Sequence, residues 1–265
     1  MNNVTMIRIV DFGYEHAAVP IENARVIMVF AGGCPVADVG RTQGPGAVLD
    51  ASRHIELFEM QLGDSPMAPG VASLLVEDPE VITPSLQLCR DALQAGRFPV
   101  TVSADRAMTG ACCDCPTVAL FGKVGRPEMD EFAVFERHPA VLAGVRAATG
   151  SAFQSVPANV SILTAHALKK SRELFVQALG TLNAPVHLCI DIDVLAPGVA
   201  RNDRSLDPGG LDWYDLIALL DLTAAGPGIR SIDITGTRTV MPRSPAAVLC
   251  AQLALRACAM SGARG

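Results

Sequence analysis

The chain has 265 residues, enough for one sizeable α/β domain, and with half of them apolar and 18% charged it does not read as disordered. A formal charge of −6, a sequence pI of about 5.3 and the absence of any basic run argue against a nucleic-acid partner. No apolar run reaches the roughly eighteen residues that span a bilayer, so no membrane partner is expected either.

In chain order, the opening "MNNVTMIRIVDFGYEH" lacks the charged-then-apolar order of a signal peptide, and a cytoplasmic setting is expected. The eight cysteines are then expected as thiols. Cys112, Cys113 and Cys115 cluster in "ACCDCP", but no second CxxC or Cys/His pair completes a four-ligand zinc site, and their role stays open. Short β-branched runs predict strands at "RVIMVF", "FPVTVS", "TVALF", "NVSILT", "PVHLCID" and "IRSIDI". Between them, amphipathic stretches predict helices at "GPGAVLDASRHIELF", "TPSLQLCRDALQAG", "HPAVLAGVRAATG", "KKSRELFVQALG", "DWYDLIALLDLTA" and "SPAAVLCAQLALRACAM". Thr83 is a candidate cap, Pro84 suits a first helical position, Gly96 closes that helix, and Asp212 caps a later one. This alternation is the signature of βαβ units around a parallel sheet. With no repeat, linker or low-complexity tract, residues 1–265 read as a single domain. In such sheets ligand chemistry gathers at the carboxyl ends of the strands.

One strand end stands out. In "CIDIDVLAPG", residues two apart share a face of an extended strand, which places Cys189, Asp191 and Asp193 together. Two carboxylates on one face repel unless a cation or proton lies between them, and Asp-x-Asp is a common arrangement of hard oxygen ligands for a divalent metal. The alternative is a solvated loop entry with two ordinary carboxylates.

The longer segment "CIDIDVLAPGVARNDRSLDPGGLDWYDL" resembles the Ser-x-Asp-x-Asp segment of the ureohydrolases, the arginase, agmatinase and formiminoglutamase family. Further resemblance lies in "VFAGGCPVADVGRTQGPGAVLDASRHIELF", in "FPVTVSADRAMTGA" where the family has Gly-Gly-Asp-His-Ser, and in "TVALFGKVG" where it has Asp-Ala-His-x-Asp. The closing "IRSIDITGTRTVMPRSPAAVLCAQLAL" is similar to the family's last strand, Asp-x-x-Glu turn and final helix. The resemblance implies a three-layer α/β/α fold with a mostly parallel central sheet. It also implies hydrolysis of guanidino or amidino C–N bonds at two bridged manganese ions. Trimers or hexamers are usual in the family, so a homo-oligomer is expected, with mixing with an active paralogue a further option.

Carried over residue by residue, the family's six metal ligands survive only as Asp191 and Asp193. The first histidine position is Arg106, although Asp105 before it is kept; the Asp, His and Asp of the third motif fall on Phe121, Lys123 and Gly125. Asp233 matches a retained aspartate expected to shape its turn, and the glutamate that helps hold substrate in the family is Gly236. None of Arg, Phe, Lys or Gly is a plausible manganese ligand. The expectation is therefore an ion network of Arg106 and Lys123 with Asp191 and Asp193 in place of the metals, so that no cofactor is required, or manganese if the family site survives. The alternative places both cations in solvent and the aspartates at the surface. His138 stands near an active-site histidine of arginase-like members and is either a proton shuttle or an inert histidine at a helix start. Cys189 replaces the family's serine and is either a nucleophile or a small buried hydrophobe. The loop "RNDRSLDP", with Asp203 and Asp207, is more charged than its family counterpart, so a small-molecule ligand would be held differently.

Three functions follow. The first is a ligand-binding or regulatory pseudoenzyme on the ureohydrolase scaffold. The second is a metal-independent enzyme acting on an anionic small molecule. The third is a C–N hydrolase of guanidino compounds.

Overall fold

The computed structural model describes residues 6–13, 19–32, 40–57, 65–77, 82–104, 106, 114–124, 135, 137–150, 154, 156–200, 207–237 and 240–261. The chain divides into two compact units, one formed by Met1–Met108 with Ser231–Gly265 and the other by Thr109–Arg230.

In the first unit, β1 (Met6–Val10), β2 (Val26–Gly32), β3 (Val71–Glu77), β4 (Phe98–Ser103) and β11 (Ile229–Thr235) lie in the order β1-β3-β2-β4-β11. Only β1 is antiparallel, pairing Met6 with Glu77 through Val10 with Ser73. β2 runs parallel to both β3 and β4, and β11 joins β4 in parallel register with Asp233 opposite Thr101. Every residue of β2 and β4 is buried. Such continuous apolar runs are what a parallel strand covered on both faces requires. Helix α1 (Gly40–Ser52) packs on β2 and on α6 (Pro245–Met260), while α2 (Ile82–Gln94) packs on β2 and β4. Ser244 caps α6 by accepting the Ala247 N–H, with Pro245 in the first turn.

In the second unit the order is β10 (Val186–Asp191), β5 (Thr117–Leu120), β7 (Ala140–Val145) and β9 (Val160–Thr164), all parallel. A two-stranded ribbon, β6 (Lys123–Val124) with β8 (Ala147–Ala148), extends from the ends of β5 and β7. The helices are α3 (Ala165–Lys170), α4 (Glu173–Leu179) and α5 (Trp213–Ala225). Asp212 and Asp215 form a reciprocal capping box at the start of α5, as the sequence suggested for Asp212. Burial pushes the Asp215 carboxyl up, but hydrogen bonds from Arg172, the Asp212 backbone and Lys169 outweigh it and hold it at about 2.

Several expected elements shift. "HPAVLAGVRAATG" is not a helix: Ala140–Val145 is β7, fully buried between β5 and β9. A short apolar run with no polar face carries no period that separates strand from buried helix. "KKSRELFVQALG" breaks into α3 and α4, because Ser171 is extended at the α3 carboxyl end. α1 begins at Gly40 and ends at Ser52, so Pro45 lies inside it and residues 53–57 fall outside. α2 begins at Ile82, which puts Thr83 and Pro84 inside its first turn. Gly96 closes α2 as expected. Its φ is +71°, its N–H donates to Leu93 O, and the Arg97 N–H donates to Ala92 O, the paired bonds of a Schellman ending.

A Cβ built on Gly96 meets nothing within 4 Å, so an alanine there carries only the backbone penalty of the left-handed region. Gly96→Ala is expected to lower unfolding free energy by about 1 kcal/mol with an unchanged m-value, read by urea denaturation.

Candidate functional site

In the second unit the carboxyl ends of β5, β7 and β10 share one edge, and Asp191 and Asp193 arrive there from β10. The strand stops at Asp191, and Ile192–Val194 forms a 3-10 turn. The cause is local: the Asp191 carboxylate accepts the Asp193 N–H at 2.9 Å and caps that turn. Alternation along a strand therefore does not carry Cys189, Asp191 and Asp193 onto one face. Asp193 instead reaches across to β5, where its Oδ1 accepts the Gly122 N–H at 2.9 Å. Both aspartates are buried, at 0% and 1% exposure, which rules out the solvated loop entry.

Arg146 completes this edge, and the sequence reading missed it. It follows β7, its guanidinium donates to the Asp193 carbonyl oxygen, and its Nε donates to the Asp207 carbonyl at 3.2 Å. Its own backbone N–H donates to Gly122 O at 2.9 Å. A Cβ on Gly122 would collide with both the Asp193 carbonyl oxygen and the Arg146 guanidinium. Gly144, on β7, likewise lies where a Cβ would run into Val194 of the turn. Lys123, half-buried, opens the ribbon strand β6 beside Gly122.

Phe121 lies in an apolar cluster with Ala119, Val124, Phe135, Ala140, Leu142, Val145 and Cys189. Phe121 and Cys189 are 1% and 0% exposed. His138 belongs to the other end of the strands. It precedes Ala140 at the amino end of β7, whereas Asp191 closes the carboxyl end of β10, and these strands run parallel through β5. His138 is at a strand entry, not a helix start, and the structure does not bring it to the aspartates. Its Nε2 lies 2.6 Å from Asp114 Oδ1, and this hydrogen bond holds the exposed Asp114 carboxyl below the usual carboxylate range. The Asn159 amide fixes the backbone here by donating to the carbonyls of Phe135 and His138. Cys115 is buried near the start of β5, while Cys112 and Cys113 lie outside the described residues.

In the first unit Arg106 is buried, at 2% exposure, so it does not turn out to solvent. Asp233 is buried on β11 opposite Thr101 of β4. Gly236 has φ +81°, a backbone conformation that a glutamate adopts only with strain. Next to it the Thr237 hydroxyl donates to Ser103 O at 2.8 Å, tying the turn after β11 to the end of β4. Asp105 and Gly125 lie outside the described residues.

A manganese pair needs several oxygen or imidazole donors converging with free lone pairs. Among the described residues no group of three or more His, Cys, Asp or Glu side chains converges in this way. Asp191 and Asp193 each give a carboxylate oxygen to a backbone N–H, and Phe121 offers none. The described donor set falls short of a dinuclear manganese centre.

Comparison with known proteins places this geometry. Residues 126–259 match the model of the Arginase family. The N(1)-aminopropylagmatine ureohydrolase of Thermus thermophilus is 25% identical over 247 residues, covering 79% of this chain and 80% of its own. Among solved structures, the agmatine ureohydrolase of Thermoplasma volcanium superposes with a TM-score of 0.75 at 18% identity, covering 93% of this chain and 92% of its own. The formiminoglutamase of Trypanosoma cruzi, solved with manganese(II), gives 0.72 at 13% identity over 93% and 96% of the two chains. These likenesses give the fold: α/β, in three α/β/α layers with a mostly parallel central sheet.

Phe121→Asp puts a charge in the apolar cluster and removes one of its two phenyl rings. It is expected to cost about 4 kcal/mol or more, read by chemical denaturation, with no recovery on adding manganese.

Proposed function

We propose that this chain, which belongs to the arginase family, is a catalytically degenerate member: a ligand-binding or regulatory pseudoenzyme that has lost the dinuclear manganese site. The observation that carries the reading is the fate of one strand end. Where the resemblance puts a metal-binding aspartate, Phe121 packs into the apolar core, and Asp193 Oδ1 accepts the Gly122 N–H. Two buried carboxylates need compensation, because a buried unpaired charge costs several kcal/mol. Lys123 and Arg146 supply positive charge from the same edge of the second unit, without a metal. The parent chemistry needs a hydroxide nucleophile; unassisted water, with a pKa of about 16, is a very poor source of one near neutrality. The chain is taken as one ureohydrolase-like domain over 1–265, assembled as a homo-oligomer and requiring no cofactor.

A second reading is an active C–N hydrolase of guanidino or amidino compounds. It is favoured by the aligned length of the ureohydrolase relative and by the retained Asp191 and Asp193. The metal-independent enzyme has no comparable support, since Cys189 lies in an apolar cluster and His138 at the opposite strand end.

Protein produced in manganese-supplemented medium is expected to carry far less than one manganese per chain. It should release neither urea nor ammonia above background from arginine, agmatine, N(1)-aminopropylagmatine or formiminoglutamate. Turnover that a chelator abolishes would establish the second reading instead.

A further inference from the structure

We propose that one face of the β4–β11 pair holds an internal water molecule, bonded by the Thr101 and Thr235 hydroxyls and the Asp233 carboxylate, which hydrates that carboxylate inside the sheet. The site lies in the first unit and does not depend on whether a metal is held elsewhere.

The register of the two strands carries it. β4 and β11 run parallel, with Ile232 opposite Val100, Asp233 opposite Thr101 and Ile234 opposite Val102. Strand alternation then sorts the pair into two unlike faces. One presents Val100, Val102, Ile232 and Ile234. The other presents Thr101 and Ser103 from β4 with Ser231, Asp233 and Thr235 from β11, none more than 3% exposed. On the far side of β4, the matching residues of β2 are apolar: Val29 lies opposite Thr101 and Ala31 opposite Ser103. Parallel strands covered on both faces are ordinarily apolar on both, so this polar face needs a partner of its own.

Two of its side chains lack one within the protein. Among the described residues nothing hydrogen-bonds the hydroxyls of Thr101 and Thr235, which are 2% and 0% exposed. Ser103, Ser231 and Asp233 engage other groups of the fold. Buried hydroxyls are costly to leave unsatisfied, and native structures satisfy nearly all of them. Asp233 stands between the two, directly opposite Thr101 and two residues before Thr235 on the same strand. Adjacent strands lie about 4.8 Å apart, and two residues of a strand span about 6.6 Å. One water with bonds of about 2.8 Å closes both gaps, and three partners is the usual complement of an internal water. At the carboxyl end of this face the buried Thr237 donates its hydroxyl to Ser103 O at 2.8 Å.

Ser73 shows what the arrangement adds. Its hydroxyl is also without a partner and 1% exposed, but its neighbours in register are Val10 and Met28. A water there would lack the two to four polar partners it needs.

The test uses the whole chain. Thr101→Val and Thr235→Val each delete a hydroxyl while nearly keeping the side-chain shape. Each is expected to lower Tm by roughly 2–5 °C, because the water loses a bond. The double variant should lose less than the sum, since both changes act through one water. Ser73→Ala should leave Tm unchanged or raise it. Should the valine variants fail to fold, a crystal structure of the wild type decides. Ordered density is expected within about 3.2 Å of both hydroxyls and of the Asp233 carboxylate, and its absence overturns the site. A rise in Tm for either valine variant, additive losses in the double variant, or an equal fall in Ser73→Ala also overturns it. Wild-type Tm is expected to be the same in sodium, potassium and choline chloride at equal ionic strength. A shift specific to one cation, lost in Thr101→Val, would identify a bound cation and overturn the water.

Discussion

Two aspartates with essentially no exposed surface set the terms for the carboxyl edge of the second unit. A carboxylate removed from water must recover its hydration from hydrogen bonds and nearby positive charge, or the fold gives up several kcal/mol. Asp191 takes the N–H of Asp193, which bends the chain out of β10 into a 3-10 turn. Asp193, redirected by that turn, takes the N–H of Gly122 from the end of β5. Each carboxylate thus organises backbone from the next segment, so satisfying charge and shaping the loops are the same event.

The close packing of that edge follows. A turn drawn down onto β5 and β7 leaves no room for a Cβ at two positions. Gly122 lies under the Asp193 carbonyl, and Gly144 lies under Val194. Drawing the turn inward also points the Asp193 carbonyl at Arg146, whose guanidinium then spans to the Asp207 carbonyl. The loop ends at Leu195, which bridges to Leu211 just before Asp212 caps α5. A short run of chain from 191 to 195 therefore connects β10 to its neighbours and leads on towards the next helix.

Much of the fold could be read from the residues, because the relevant signals are local. The β-branched runs of β2, β4, β5, β9, β10 and β11, the Gly96 ending and the Asp212 cap all depend on neighbours in sequence. What could not be read depends on neighbours in space. β7 is apolar throughout, and nothing in its own six residues distinguishes a strand buried on both faces from an interior helix. Reading it as a helix hid Arg146, which would have pointed anywhere around such a helix and instead emerges at the strand end. Alternation along β10 failed at Asp193 for a similar reason, since a side-chain oxygen competing for a backbone N–H overrides the period of the strand. The identities at 121, 123 and 236 were visible from the start; that Phe121 shares an apolar cluster with Cys189, and that Gly236 occupies a left-handed backbone, required the structure.

The same geometry bears on how such a site changes once it departs from its family. Where the resemblance puts a metal-binding aspartate, Phe121 is part of the apolar core, and its removal opens a cavity. Where the resemblance puts an alanine, Gly122 leaves the space that the Asp193 carbonyl and the Arg146 guanidinium occupy. Each reversion made alone meets a neighbour already adapted to the change: a carboxylate at 121 faces apolar side chains, a methyl at 122 faces a carbonyl and a guanidinium, and a glutamate at 236 faces a backbone shaped for glycine. Penalties of this kind couple because the groups touch, so several reversions together need not cost their sum, but any one of them alone is disfavoured. On the proposed reading, drift at this edge runs more easily away from the metal than back to it, and a retained Asp-x-Asp persists because buried backbone N–H groups still require those carboxylates.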